Sequence, residues 1–208
     1  MHYTPSSLTL PSKEQIASFP LFKSLPNSSV YSIKTTDECK EIASEIQHAA
    51  FLGFDTESKP TFRVGEVSTG PHIIQLATAN KAYLFYVNTD TWTFLKPILE
   101  NKQQLKVGFG LKNDRALFHK KGIQLEGIVD LSKAFSGLGL KQTMGIKNAM
   151  ALLFQVHFIK SKKISTSNWS VKQLSPAQIA YAAADAYGCV LIYQKLLQLG
   201  LVQTALKK

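Results

Sequence analysis

Cysteine is nearly absent: two in 208 residues, Cys39 and Cys189, with no paired spacing and no histidine cluster beside either. That excludes a disulfide framework and a cysteine-bound structural zinc, and makes a reducing compartment, the cytoplasm, the expected location. Long apolar runs are missing too. No window approaches the roughly 20 apolar residues of a membrane span, and no basic stretch followed by an apolar run opens the chain, so no membrane partner is expected. Acids are scarce, 14 Asp and Glu against 24 Lys and Arg, for a formal charge of +10. Such a surplus favours polyanionic partners, nucleic acid above all, without naming an activity. Internal repeats and low-complexity tracts are also lacking.

What is there is one domain of ordinary size, 45% hydrophobic and long enough to bury a core without staples. The charge is unevenly spread. Between Glu100 and Lys172 thirteen basic residues face four acids, and Lys160, Lys162 and Lys163 crowd one short segment. Any one of these lysines reads as a solvated surface residue; their asymmetry marks the face expected to meet a phosphate backbone.

Residues 1–29 hold four spaced prolines, with room only for a short helix capped by Ser12, and read as an N-terminal extension. The domain proper is expected over 30–208. Val30 to Lys34 alternates as a strand, and Thr35 with Glu38 opens an amphipathic helix. Strands are expected at Phe51 to Glu57, His72 to Ala79 and Ala82 to Val87, the first three of the middle region forming an antiparallel meander. Helix and strand then alternate: Thr91 to Gln103 helical, Leu105 to Phe109 extended, Leu111 to Lys121 helical, Ile128 to Leu131 extended. Leu140 to Phe154 reads as a helix, Lys160 to Ser170 as a polar loop, and Ser175-Pro176 as the start of a last helix running to about Leu199. The fold class is therefore α/β with a mixed sheet.

Carboxylates supply the chemistry. In Phe54-Asp55-Thr56-Glu57 the side chains alternate, so Asp55 and Glu57 project from one face of a strand end. Such a pair is either solvated or, if buried, shares a proton or gathers around a cation. On the last helix, Asp185 borders the apolar stripe of Ile179, Ala182, Ala183, Ala186 and Val190 and faces inward. A buried unpaired carboxylate is costly, and its partner is either a bound cation or a base from elsewhere in the fold such as Arg115. Tyr181 stands one turn before it on the same side. Asp114 follows Val107-Gly108-Phe109-Gly110, where it either caps a helix dipole or reaches a site at the strand end. Trp169 either stacks on a base or packs beneath the last helix, and Phe62 and Arg63 either flank a substrate terminus or are plain surface.

Taken together, Asp55 and Glu57, Asp114 after its glycines, and Tyr181-Ala182-Ala183-Ala184-Asp185 resemble the three motifs of the DEDD superfamily of 3′-5′ exonucleases, in the tyrosine branch. The likeness runs from Val30 to Leu199 and is nearest to the ribonuclease D and Werner-type domains. Ser167-Asn168-Trp169-Ser170 resembles the approach to the last motif, although Lys172 and Gln173 stand where the family often has arginine and proline. The resemblance implies a ribonuclease-H-like sheet of five to six strands flanked by helices. It also implies two divalent cations, Mg2+ or Mn2+, on Asp55, Glu57, Asp114 and Asp185, with Asp114 acting partly through water. Tyr181 would orient the attacking water, a phenol of pKa about 10 being mostly protonated at neutral pH. The implied partner is the 3′ end of DNA or RNA, with Thr56, Lys160, Lys162, Lys163 and Trp169 as candidate contacts and nucleoside 5′-monophosphates as products. The rival reading is a catalytically silent nucleic-acid-binding module on the same fold.

Overall fold

The structure, a computed structural model, describes residues 9–62, 65–140 and 143–202. Six strands form one mixed sheet in the order β1-β4-β3-β2-β5-β6. They are β1 (Val30–Ile33), β2 (Phe51–Glu57), β3 (Ile73–Ala77), β4 (Ala82–Tyr86), β5 (Leu105–Gly108) and β6 (Ile128–Asp130). The hairpins β2-β3 and β3-β4 are antiparallel, the expected meander, while β1-β4, β2-β5 and β5-β6 run parallel. Thr78 and Lys81 close the tight turn between β3 and β4.

Strand alternation divides the molecule into two layers. Leu52 and Phe54, Ile74 and Leu76, and Tyr83 and Phe85 point to one face, where they pack with α2 (Thr36–His48), α3 (Thr89–Leu99) and α4 (Lys112–Lys120). The other face carries α5 (Ile146–Phe154) and the long α7 (Pro176–Gln198). Capping boxes start α2 at Thr35 and α7 at Ser175, with Pro176 in the first turn of α7.

Under the middle of α7 the sheet offers small side chains. Gly53, Ala77 and Ala82 lie against Ala183, Ala186 and Val190. A Cβ at Gly53 would overlap the Ala186 carbonyl oxygen and stand 2.8 Å from Val190 Cγ2. Glycine at 53 thus lets helix and strand approach at backbone distance. On the opposite face, the ammonium of fully buried Lys106 in β5 donates to the carbonyls of Ile98 (2.9 Å), Asn101 (2.7 Å) and Gln104 (2.8 Å). Three protons meet three acceptors at the end of α3, where the helix dipole also favours a cation.

Three expected boundaries shift. The helix expected at Thr91 begins at Thr89 because Asn88, not a later residue, caps it, and it ends at Leu99. The helix expected from Leu140 begins only after Gly145, which serves as its N-cap; a 3-10 helix, Leu131–Leu138, precedes it. The loop expected over 160–170 contains a short helix, α6 (Lys162–Ser165), because the Ser161 hydroxyl accepts from the Ile164 N–H. The segment read as an extension contributes α1 (Lys13–Ser18), and a β-bridge joins Leu21 to His157. Phe22 stacks on Phe158 at 5.1 Å.

Gly53→Ala is expected to destabilise the protein by about 3 kcal/mol, since the overlap is with backbone and cannot be relieved by a rotamer change. Equilibrium urea unfolding checks this; a variant as stable as the parent contradicts the close seating of α7.

Candidate active site

Asp55 and Glu57 end β2 on the same face as Gly53, so the contact that seats α7 also sets the position of its Asp185 relative to them. Asp55, Glu57 and Asp185 each offer an oxygen atom within 4.8 Å of the other two. Asp185 is 1% exposed, and its side-chain partners are the Lys160 ammonium and the Tyr181 hydroxyl. The first of these is an ion pair, with Lys160 Nζ at 2.8 Å from Oδ2. Tyr181, one helical turn earlier, is half-buried, with its ring centroid 5.5 Å from that same ammonium.

Asp114 stands just outside this trio. Thr56 links it in: the Thr56 hydroxyl donates to Asp114 Oδ1 at 2.6 Å while the Thr56 N–H donates to Asp55 Oδ1 at 2.9 Å. Asp114 reaches this place because the chain turns sharply after β5. Gly110 takes the left-handed region at φ 67°, and its N–H donates to Asp130 Oδ1 at 3.0 Å.

The electrostatics are those of a crowded acidic site. Burial, then the charge of Asp185, pushes Asp55 up to about 7. Burial, then Asp55 and Asp185, pushes Glu57 up to about 9. Asp185 is raised by burial to about 6, with Lys160 opposing the rise. Asp114 is raised by burial, against the Thr56 hydrogen bond. Tyr181 is lifted by burial and Asp185 to about 12, so its hydroxyl keeps its proton at neutral pH. Burial works against the Lys160 ammonium, but Asp185 and Asp55 outweigh it and hold its pKa above the ordinary lysine value.

An oxygen-only donor set, the burial of Asp185 and mutual repulsion among the carboxylates together fit a hard divalent cation such as Mg2+ or Mn2+. Of the residues singled out in the sequence, Asp55, Glu57, Tyr181 and Asp185 come together, and Asp114 lies one threonine away. Thr56 has both its hydroxyl and its N–H committed to carboxylates, which leaves it positioning them. Lys162 and Lys163 are exposed in α6, as solvated phosphate contacts would be.

Two expectations are corrected. Trp169 is fully buried, donates its indole N–H to the Ser165 carbonyl at 3.2 Å and lies 6.0 Å from the Tyr181 ring, so it cannot stack on a base. Lys160 does not stand out on the surface with Lys162 and Lys163: it turns inward to Asp185 and takes the place considered for Arg115, which is exposed on α4. Phe62 is 82% exposed; Arg63 lies outside the described residues. Gln75 went unread. It is fully buried opposite Asp55, with its side-chain amide lacking a hydrogen-bond partner among the described residues. Its signal was present, a polar residue inside the apolar run Ile73-Ile74-Gln75-Leu76-Ala77.

A model of a 3′-5′ exonuclease family matches residues 30–200. The chain belongs to that family. It is 33% identical over 188 residues to the bifunctional 3′-5′ exonuclease/ATP-dependent helicase WRN of Mus musculus, a match covering 86% of this chain and 13% of that protein. Against the ribonuclease D of Gluconacetobacter diazotrophicus it is 28% identical over 171 residues, 80% of this chain and 42% of that one. The chain thus spans a minor part of either relative. Among solved structures, the Aedes aegypti Nibbler EXO domain superposes with a TM-score of 0.74 at 22% identity, covering 86% of this chain and 92% of that one. Trypanosoma brucei RNase D gives 0.71 at 19% identity, covering 81% and 65%. These likenesses establish the ribonuclease-H-like fold of the exonuclease domains.

The raised carboxylates have a thermodynamic consequence. With folded-state pKa values of about 7, 9 and 6 against ordinary values of 3.8 and 4.5, the folded chain binds more protons than the unfolded chain across that window. Stability should therefore fall as pH rises from about 4 to 9 in the presence of a chelator. Asp55→Asn should flatten the fall, and Mn2+ should restore stability at the alkaline end. Thermal melting at stepped pH, with and without Mn2+, measures all three; identical slopes for wild type and Asp55→Asn contradict the assignment.

Proposed function

We propose that the chain is a metal-dependent 3′-5′ exonuclease that hydrolyses the terminal phosphodiester bond of DNA or RNA and releases nucleoside 5′-monophosphates. The observation that carries this reading is the trio Asp55, Glu57 and Asp185, held within 4.8 Å by two separate elements with Tyr181 beside it. Asp55, Glu57 and Asp185 would hold one divalent cation, and Asp55 with Asp114 a second, Mg2+ or Mn2+ in each case. Bound there, such ions supply a water of lowered pKa and stabilise charge on the departing 3′ oxygen.

The protein's own groups do the rest. Thr56 fixes Asp55 and Asp114 relative to one another through its two hydrogen bonds. Tyr181, protonated at neutral pH, orients the attacking water by hydrogen bonding and is not its base. Exposed Lys162 and Lys163, with the wider basic face, hold the phosphate backbone. A silent binding module is the weaker reading, because clustered negative charge repels phosphate and stabilises nothing unless cations are recruited.

Labelled single-stranded DNA and RNA incubated with Mg2+, Mn2+ or chelator test the activity. Shortening from the 3′ end only with metal is expected; no metal-dependent shortening of either substrate overturns the reading. Asp55→Ala with Glu57→Ala should abolish cleavage yet leave binding in chelator intact. Tyr181→Phe should lower kcat by about 10²-fold with the melting temperature little changed, the scale of a lost proton-positioning group. An unchanged kcat would remove Tyr181 from the reaction.

A further inference from the structure

We propose that Lys160 is an exchangeable counter-ion of the carboxylate cluster, an ammonium on a short tether that competes with a divalent cation for Asp185. This deepens the exonuclease reading and rests on it. Its ammonium lies 2.8 Å from Asp185 Oδ2, on a nearly inaccessible carboxylate whose other side-chain partner is the neutral Tyr181 hydroxyl. Of the crowded lysines 160, 162 and 163, it alone turns inward: its side chain is 32% exposed, while Lys162 and Lys163 are exposed. The backbone around it is pinned on both sides. His157 is bridged to Leu21, with its N–H donating to the Pro20 carbonyl at 2.8 Å, and Ser161 caps α6. The tether therefore fixes where the chain enters, and the flexible side chain decides where the charge goes.

Charge counting gives the exchange its direction. Fully ionised, the four carboxylates Asp55, Glu57, Asp114 and Asp185 outnumber the one ammonium paired with them among the described residues, so divalent ions can displace the protons that Glu57 and Asp55 hold at neutral pH. Once two such ions enter, the same count with Lys160 included is one positive charge over, the complement of one phosphodiester. An ammonium and a divalent ion both at Asp185 repel, and the monovalent group yields because its stem can swing while the carboxylates cannot. Lys160 thus lowers metal affinity, partly neutralises the cluster before metal enters, and is released toward the anionic substrate as the metal binds.

Mn2+ binding in the absence of nucleic acid, read as loss of the free-ion electron paramagnetic resonance signal, tests this without using activity. Lys160→Met should bind Mn2+ at least about tenfold more tightly than wild type, whereas Lys160→Arg, which keeps the charge, should stay within about threefold. Lys162→Met removes a nearby exposed charge and should change little. A second readout uses the wild-type protein: acetylation of individual lysines by an N-hydroxysuccinimide ester, followed by mass spectrometry. Lys160 should be protected relative to Lys162 in chelator and become reactive in step with Mn2+ occupancy. Equal Mn2+ affinity in wild type and Lys160→Met, or Lys160 reactivity that ignores Mn2+, overturns the exchange while leaving the exonuclease reading intact. No Mn2+ binding by either protein overturns both. Should Lys160→Met fail to fold, Lys160→Gln and the wild-type acetylation carry the same decision.

Discussion

Everything in this structure turns on the backbone-to-backbone approach of one helix to one strand. Gly53 and Ala186 meet where any larger residue on the strand would hold them apart. That contact is apolar and local, yet it decides the spacing of charges further along both elements. Asp185 follows from Ala186 and Asp55 from Gly53, so helix seating and carboxylate spacing are one geometric fact. The site is repulsive by construction, and the apolar clusters on both faces of the sheet supply the burial that tolerates it.

The repulsion is managed by a small number of directed contacts. Thr56 bonds to two carboxylates at once, Asp130 fixes the glycine turn that delivers Asp114, and Lys160 answers Asp185. Trp169 and Gln178 belong to the same scheme. The Gln178 amide donates to the Ser167 hydroxyl at 3.0 Å and the Asn168 carbonyl at 3.1 Å, locking the segment after α6 to the start of α7. The buried indole lies tilted beside the Tyr181 ring, so a tryptophan that resembles a nucleic-acid contact in the sequence packs against the tyrosine instead.

Much of this was legible beforehand, and the reasons differ by residue. Strand alternation is local, which is why Asp55 and Glu57 could be put on one face and the meander read without tertiary information. Asp185 could be placed inward because helical periodicity is local too. Tertiary pairing is not: nothing near Lys160 in the chain signals that it meets Asp185, and its neighbours Lys162 and Lys163 have the same composition but opposite exposure. The late start of α5 has a local cause, the extended backbone of Gly145, that the apolar pattern from Leu140 onward concealed. Trp169 shows the limit most plainly. An indole flanked by polar residues is equally at home on a surface or under a helix, and only the Ser165 carbonyl waiting for its N–H settles the matter.

The bridge between Leu21 and His157 gives the first residues of the described chain a mechanical bearing on chemistry they never touch. Phe22 packs on Phe158 and Tyr187, so the strand-like stretch at 20–22 works as a strap drawn over the segment that leads to Lys160. Through Tyr187 the same strap also bears on the helix that carries Asp185, so it borders both halves of the ion pair.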